Sequence, residues 1–250
     1  MGHETVTFLG QTPRFGTKSR KAPISALESS PYYWWWQYLR RNKRYLGCCD
    51  RGGIGQLSWL YEDFGDVRDD DFKSWWYGDS NRGARLFAEQ RSDITVKQLA
   101  DPNEWIDDFE AQNVAVLAVN LNLESNRAIK KQFDRWLKQK NSRSRGKPAI
   151  KGRSNARYPL SRNYSTSALK KNLAVYDAIK DAEQAHKHYG EAKKPMWQIG
   201  FELQLVPLFR HFKKKEDVDA DARIQLSKAA SRYNKIAQEI IARTSKGIFP

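Results

Sequence analysis

The sequence predicts a mainly α-helical protein, or an α+β fold with a small sheet, in two parts behind a flexible basic arm (1–29). Residues 30–110 form an aromatic-rich helical unit, and residues 111–250 a strand followed by basic helices with a flexible loop at 141–165. Three observations predict this. Apolar residues recur at helical spacing in several stretches, most of them bounded by capping or breaking residues. Only one stretch has the β-branched, apolar character of a strand. An apolar fraction of 40% with 12% aromatics supplies material for a core that a disordered chain would lack. There is no run of 18 apolar residues, so no membrane-spanning helix is expected, and the polar start, Met1 to Pro13, does not read as a secretory signal.

Taken in order, residues 1–29 lack periodicity and carry Arg14, Lys18, Arg20 and Lys21. Ser30 is a favourable N-cap and Pro31 suits a first helical position, so a helix is predicted over Pro31–Leu46, with the cations Arg40, Arg41, Lys43 and Arg44 near its end. Five consecutive aromatics, Tyr32 to Trp36, cannot all face one side. Trp35, with Trp34, is expected in the core, and Tyr32 or Trp36 at the surface. Ile54–Phe64 is a second helix stopped by Gly65, and Asp70–Tyr77 a third. Asn113–Asn122 is the best strand, with Ala84–Ala88 as its partner, and Asn103–Glu110 a helical turn. Ser125–Lys140 places Ile129, Phe133, Trp136 and Leu137 on one face and Lys130, Lys131, Arg135, Lys138 and Lys140 on the other. A helix starting at Ser165 or Thr166 continues to Tyr189 and stops at Gly190; Pro195–Leu205 reads as helix or strand; Val218–Arg243 is the last helix.

The charge is concentrated. The chain carries a formal +15, yet residues 127–171 alone hold 15 Lys and Arg against one acid, Asp134. A localised excess points to a polyanionic partner, where a dispersed one would speak only of solubility. Backbone binding requires mobile or helix-mounted cations, and each neutralised phosphate releases counterions. Arg143, Arg145, Lys147, Lys151, Arg153, Arg157 and Arg162 are the expected phosphate contacts, flanked by Lys130, Lys131, Lys170 and Lys171. Tyr158 and Tyr164 are expected to pack on sugars or bases. Thr166 opens the following helix, whose first turn suits a phosphate, and Asn172 is expected to face outward with Lys170 and Lys171. The loop has no apolar face for a membrane.

Other constellations are weaker. Glu62, Asp63, Asp66, Asp69, Asp70 and Asp71 read as capping and surface acids, with two further possibilities: a divalent-ion site of a nuclease, or Asp69–Asp71 holding down the basic loop. Cys48 and Cys49 are adjacent and suit a reducing cytoplasm, one facing the core and one not. His186 and His188, two apart on a helix, point away from each other. No nucleophile or phosphate-loop motif stands out. A cofactor and a metal are therefore not expected, nor is catalysis.

The stretch SPYYWWWQYLRRNKRY, with LYEDFGDVRDDDFKSWW and RLFAE after it, resembles an uncharacterised protein family of bacterial mobile elements: plasmids, conjugative elements and phages. It covers residues 30–90. It implies a setting in which DNA-binding regulators and recombination accessories are common, and it carries over no catalytic residue. The resulting expectation is a cytoplasmic, non-catalytic DNA-binding protein, with DNA favoured over RNA. A protein-interaction module docking an acidic partner and a metal-dependent nuclease or strand-transfer enzyme are the alternatives.

Overall fold

The computed structural model describes residues 6–17, 19–20, 22–89, 125–140, 154, 156–160 and 164–250. The strand expected at Asn113–Asn122, the turn at Asn103–Glu110 and most of the loop 141–165 lie outside them. The described chain is mainly helical: α1 Ile24–Glu28, α2 Pro31–Leu39, α3 Lys43–Asp50, α4 Ser58–Phe64, α5 Phe72–Phe87, α6 Asn126–Lys140, α7 Thr166–Tyr189, α8 Met196–Glu202 and α9 Ala220–Thr244. Two 3₁₀ turns, Pro207–Phe209 and Lys215–Asp217, join α8 to α9. Isolated bridges pair Phe8 with Ala88 and Leu160 with Phe249.

Helix α2 is the hub. It packs on α1, α5, α7 and α9, so it has no outer face, and all five aromatics from Tyr32 to Trp36 are buried. The expectation that Tyr32 or Trp36 would be exposed is therefore corrected: a helix enclosed on every side buries every ring. Trp35, fully buried, meets Phe249 at 5.1 Å, Phe87 at 5.4 Å, Tyr158 at 5.9 Å and Phe64 at 6.0 Å between ring centroids. Rings of this size remove enough apolar surface to contribute roughly 4 kcal/mol each before the entropy cost of ordering.

The single helix expected over Pro31–Leu46 is two. Asn42 breaks it, because its side chain accepts from the Arg44 and Tyr45 backbone N–H groups and so caps α3. Its Nδ2 donates to the Ile241 carbonyl at 2.6 Å and to Thr244 Oγ1 at 3.1 Å, tying the break to α9. Arg41 clamps Asp177 of α7 through Nε at 3.1 Å and Nη2 at 2.7 Å. Ser30 occupies the N-cap position of α2 without a side-chain cap bond.

Helix α4 begins later than expected, leaving Ile54 exposed, and ends at Gly65 in a positive-φ turn. Helix α5 is interrupted at Gly78–Asn81, where Asp79, Ser80 and Asn81 take left-handed backbone, then resumes through Phe87. Ala84–Phe87 is thus helix and not a strand. Leu86 and Phe87 both bury there, with Phe87 stacked on Tyr32 at 4.7 Å, and only Ala88 enters a bridge. The ambiguous segment after Pro195 is helix α8; α6, α7 and α9 lie close to where helical spacing puts them.

The main core draws on α2 to α5 and equally on Tyr158, Leu160, Leu169, Leu173, Ile240 and Phe249 from the second half. Residues on both sides of position 110 therefore share one apolar interior. The N-terminal arm also joins it: Phe8 and Phe15 pack against the core, Phe8 lying 5.9 Å from the Tyr32 ring and Phe15 5.7 Å from Phe72.

Candidate nucleic-acid interface

Helix α6 carries the basic face. Arg127, Lys130, Lys131 and Arg135 are exposed and fall at i, i+3, i+4 and i+8, one side of a helix. Asp134 at i+7 is the single acid there. Among the described residues none of the four cations enters an ion pair. Arg127–Lys131 and Lys131–Arg135 are like-charge pairs four residues apart, each destabilising the helix by about 0.2–0.5 kcal/mol. On the other side Ile129 and Trp136 are half-buried, and Phe133 stacks on Trp136 at 6.1 Å.

Among the described residues, the chain leaving the basic span is fastened to the body at several points. Ser154 Oγ donates to Glu89 Oε1 at 2.6 Å. The Tyr158 backbone N–H donates to the Leu86 carbonyl at 3.0 Å. Asp63, buried at the end of α4, accepts from Tyr158 Oη at 2.5 Å and Arg157 Nε at 2.8 Å, with Arg85 Nη1 3.8 Å away. Burial and the Asp63 carboxylate push the Tyr158 hydroxyl above the ordinary tyrosine value, so it stays protonated and donates.

These contacts re-sort the expected residues. Tyr158 is a core residue whose ring packs on Trp35 and Phe64, so it has no face to offer a base. Arg157 remains exposed but is paired with Asp63. Lys170 pairs with Glu28 at 2.7 Å. Lys171 is exposed and in no ion pair among the described residues. Asn172 is buried, not outward, because it lies beside Leu169, Leu173 and Tyr176 on the inner face of α7. Thr166 is half-exposed at the start of α7, and Ser165 makes no side-chain cap. Tyr164 is half-buried against the core. Lys130 and Lys131 stand side by side on α6. Arg143, Arg145, Lys147, Lys151, Arg153 and Arg162 lie outside the described residues. Arg127 and Arg135 belong with the α6 set, and the i, i+3, i+4, i+8 spacing of cations was the signal for them.

The acidic cluster is spent on local structure. Asp70 pairs with Arg40, Asp66 with Arg68, and Asp71 caps α5 by accepting from the Ser74 N–H at 3.0 Å. The Asp69 carboxylate accepts from the Asp71 N–H at 3.0 Å. Among the described residues, Asp63 and Glu89 hold the chain at Ser154, Arg157 and Tyr158, and the basic residues that Asp69–Asp71 were expected to hold lie mostly outside the described residues. The Arg68 guanidinium holds the Asp66 carboxyl below its usual value. Among the described residues no group of three or more His, Cys, Asp or Glu is arranged to hold a metal. Cys48 and Cys49 are both buried free thiols, and burial pushes Cys49 up to about 11, leaving little thiolate at neutral pH. No described helix is long and apolar enough to cross a membrane.

The chain matches no protein-family model, no curated protein and no solved structure.

Proposed function

We propose that this protein binds the phosphate backbone of nucleic acid, DNA before RNA, as a non-catalytic regulatory or accessory factor in the bacterial cytoplasm. The single observation that carries the reading is the α6 face. Arg40, Arg41, Arg68, Arg82 and Arg157, which join elements of the core or brace its turns, have carboxylate partners, while other exposed arginines such as Arg44, Arg51 and Arg232 stand singly without one among the described residues. On α6 four cations stand together with none among the described residues, although their mutual repulsion costs helix stability. A polyanion relieves that repulsion and gains counterion release. The formal excess of residues 127–171 supports the same partner class. The resemblance of residues 30–90 to proteins of mobile elements supports the setting: replication, recombination or transcription of such an element.

The test is a binding titration of the full chain on random duplex, single-stranded DNA and RNA across a salt series, with polyglutamate as a competitor. Four or more phosphate contacts give a slope of log affinity against log salt of about −3 or steeper on duplex DNA. A salt-insensitive or absent interaction would overturn the reading, and saturation by an acidic polypeptide in place of nucleic acid would assign the face to a protein partner.

A further inference from the structure

The chain between α8 and α9 forms a cleft of about 220 Å³. Its apolar lining is Phe201, Val206, Phe209, Phe212 and Leu226. Beside it α8 and α9 cross closely: a Cβ on Gly200 of α8 would lie 2.7 Å from the Leu226 carbonyl oxygen of α9, so only glycine lets the helices approach this far. The three phenylalanine rings pack against the buried cluster of Val218, Ala222 and Leu226 and are otherwise half-exposed. Phe209 and Phe212 sit 6.2 Å apart with planes diverging by 38°, so neither ring is spent in parallel stacking on the other. His211 backs Phe212 at 4.1 Å and is steadied by a hydrogen bond to the Leu208 carbonyl.

The charged lining is mainly cationic. Arg210 and Lys213 line the cleft, and Lys214 and Lys215 follow in sequence; none enters an ion pair among the described residues. The one acid in the lining, Glu202, is already engaged by Lys194 at 3.0 Å and Gln198 at 2.9 Å. Gln204, also in the lining, takes a φ of 48° as the residue that closes α8, its N–H donating to the Phe201 carbonyl and the Leu205 N–H to the Gly200 carbonyl, both at 3.0 Å. The cleft is smaller than the roughly 300 Å³ at which pockets for drug-sized ligands begin. It fits one planar ring system, and a ring that carries negative charge on both flanks suits the cationic lining.

We propose that this cleft seats one unpaired base of a nucleic-acid strand, stacked on Phe209 and Phe212, with the flanking phosphates on Arg210 and Lys213. The proposal rests on the nucleic-acid reading and adds strand selectivity to it. The α6 cations contact backbone whether paired or not, whereas only an unpaired or extruded base can enter an aromatic cleft. Stacking of this kind tolerates any base, because every base offers a π-face.

The test uses the full chain and a single-stranded oligonucleotide carrying 2-aminopurine, beside its duplex. The single strand binds tighter than the duplex, and its fluorescence is quenched on binding. Phe209→Leu with Phe212→Leu keeps apolar packing but removes the aromatic faces. It weakens single-strand binding about tenfold, abolishes the quenching and leaves duplex affinity unchanged. Arg210→Gln with Lys213→Gln, at exposed positions, weakens single-strand binding with an unchanged melting temperature, and serves if the leucine pair does not fold. Duplex binding with no quenching on the single strand in the wild type overturns the cleft and leaves the α6 reading standing. Quenching that survives in the leucine pair overturns it as well. Displacement of a bound acidic, aromatic-ended peptide by neither strand assigns the cleft to protein and overturns it. Failure to bind any polynucleotide at low salt overturns both readings.

Discussion

At the scale of single residues, Asp63 has the greatest influence for its size. One buried carboxylate accepts from Tyr158 and Arg157 and so fixes where the chain emerges from the basic span. Replacing it with leucine leaves the Tyr158 hydroxyl without its acceptor in a buried place, a loss of about 1–3 kcal/mol, or roughly 3–10 °C in melting temperature for a chain of this length. Arg157 is more than half exposed, so its lost pairing adds little. The same change releases a cation, so affinity for duplex DNA should hold or rise while stability falls. Calorimetry and a binding titration on the same Asp63→Leu sample check both; a fall in affinity parallel to stability would deny Asp63 its role as an anchor. Sequence patterning showed Asp63 only as one acid among six. Its burial depends on Tyr158 arriving from 95 residues away, which no local spacing reveals. Asn172 follows the same rule: local polarity predicts it outward, and tertiary packing of α7 puts it inside.

Among the elements, helices were legible and their breaks were not. The apolar periodicity of α6, α7 and α9 is long enough to dominate, and their ends carry Gly190, Asp219 and Gly247 as punctuation. Pro31–Leu46 reads as one helix because its aromatics mask the cap at Asn42, whose side-chain bonds to α9 make the break worthwhile. Helix α6 gives the sharpest functional prediction at this scale. Its cations repel each other in the free protein, so Lys130→Gln with Lys131→Gln should leave stability unchanged or slightly raised. The same pair should reduce the salt slope of DNA binding by about 2. Lys180→Gln is the control, since Lys180 is paired with Glu183 and lies outside the basic span. A double variant that loses stability and affinity together, with an unchanged slope, would mean that α6 acts by packing and not by charge.

For the whole molecule, the decisive feature is one aromatic interior closed by both halves of the chain. Composition announced the aromatic core; it could not announce that Tyr158, Leu160 and Phe249 complete it, because those residues sit in segments without strong periodicity of their own. That interior makes the fold sensitive to alkali. Burial raises the hydroxyls of Tyr33, Tyr38, Tyr45, Tyr158 and Tyr164 above the ordinary value, and pushes Tyr32 up to about 12. In the unfolded chain these groups ionise near pH 10. Below that pH both states hold the proton and the stabilisation is fully present. Above it the unfolded chain binds fewer protons than the native one, so stability falls as pH rises through the native values. Because the rings share a single core, their exposure should be coupled. The share of tyrosinate absorbance that belongs to these six hydroxyls should lag as pH passes 10, then rise steeply together with loss of helical circular dichroism before the native value of Tyr32 is reached. Ionisation of these six hydroxyls near pH 10 with helicity intact would mean that they reach solvent without unfolding and that the interior is not one closed unit.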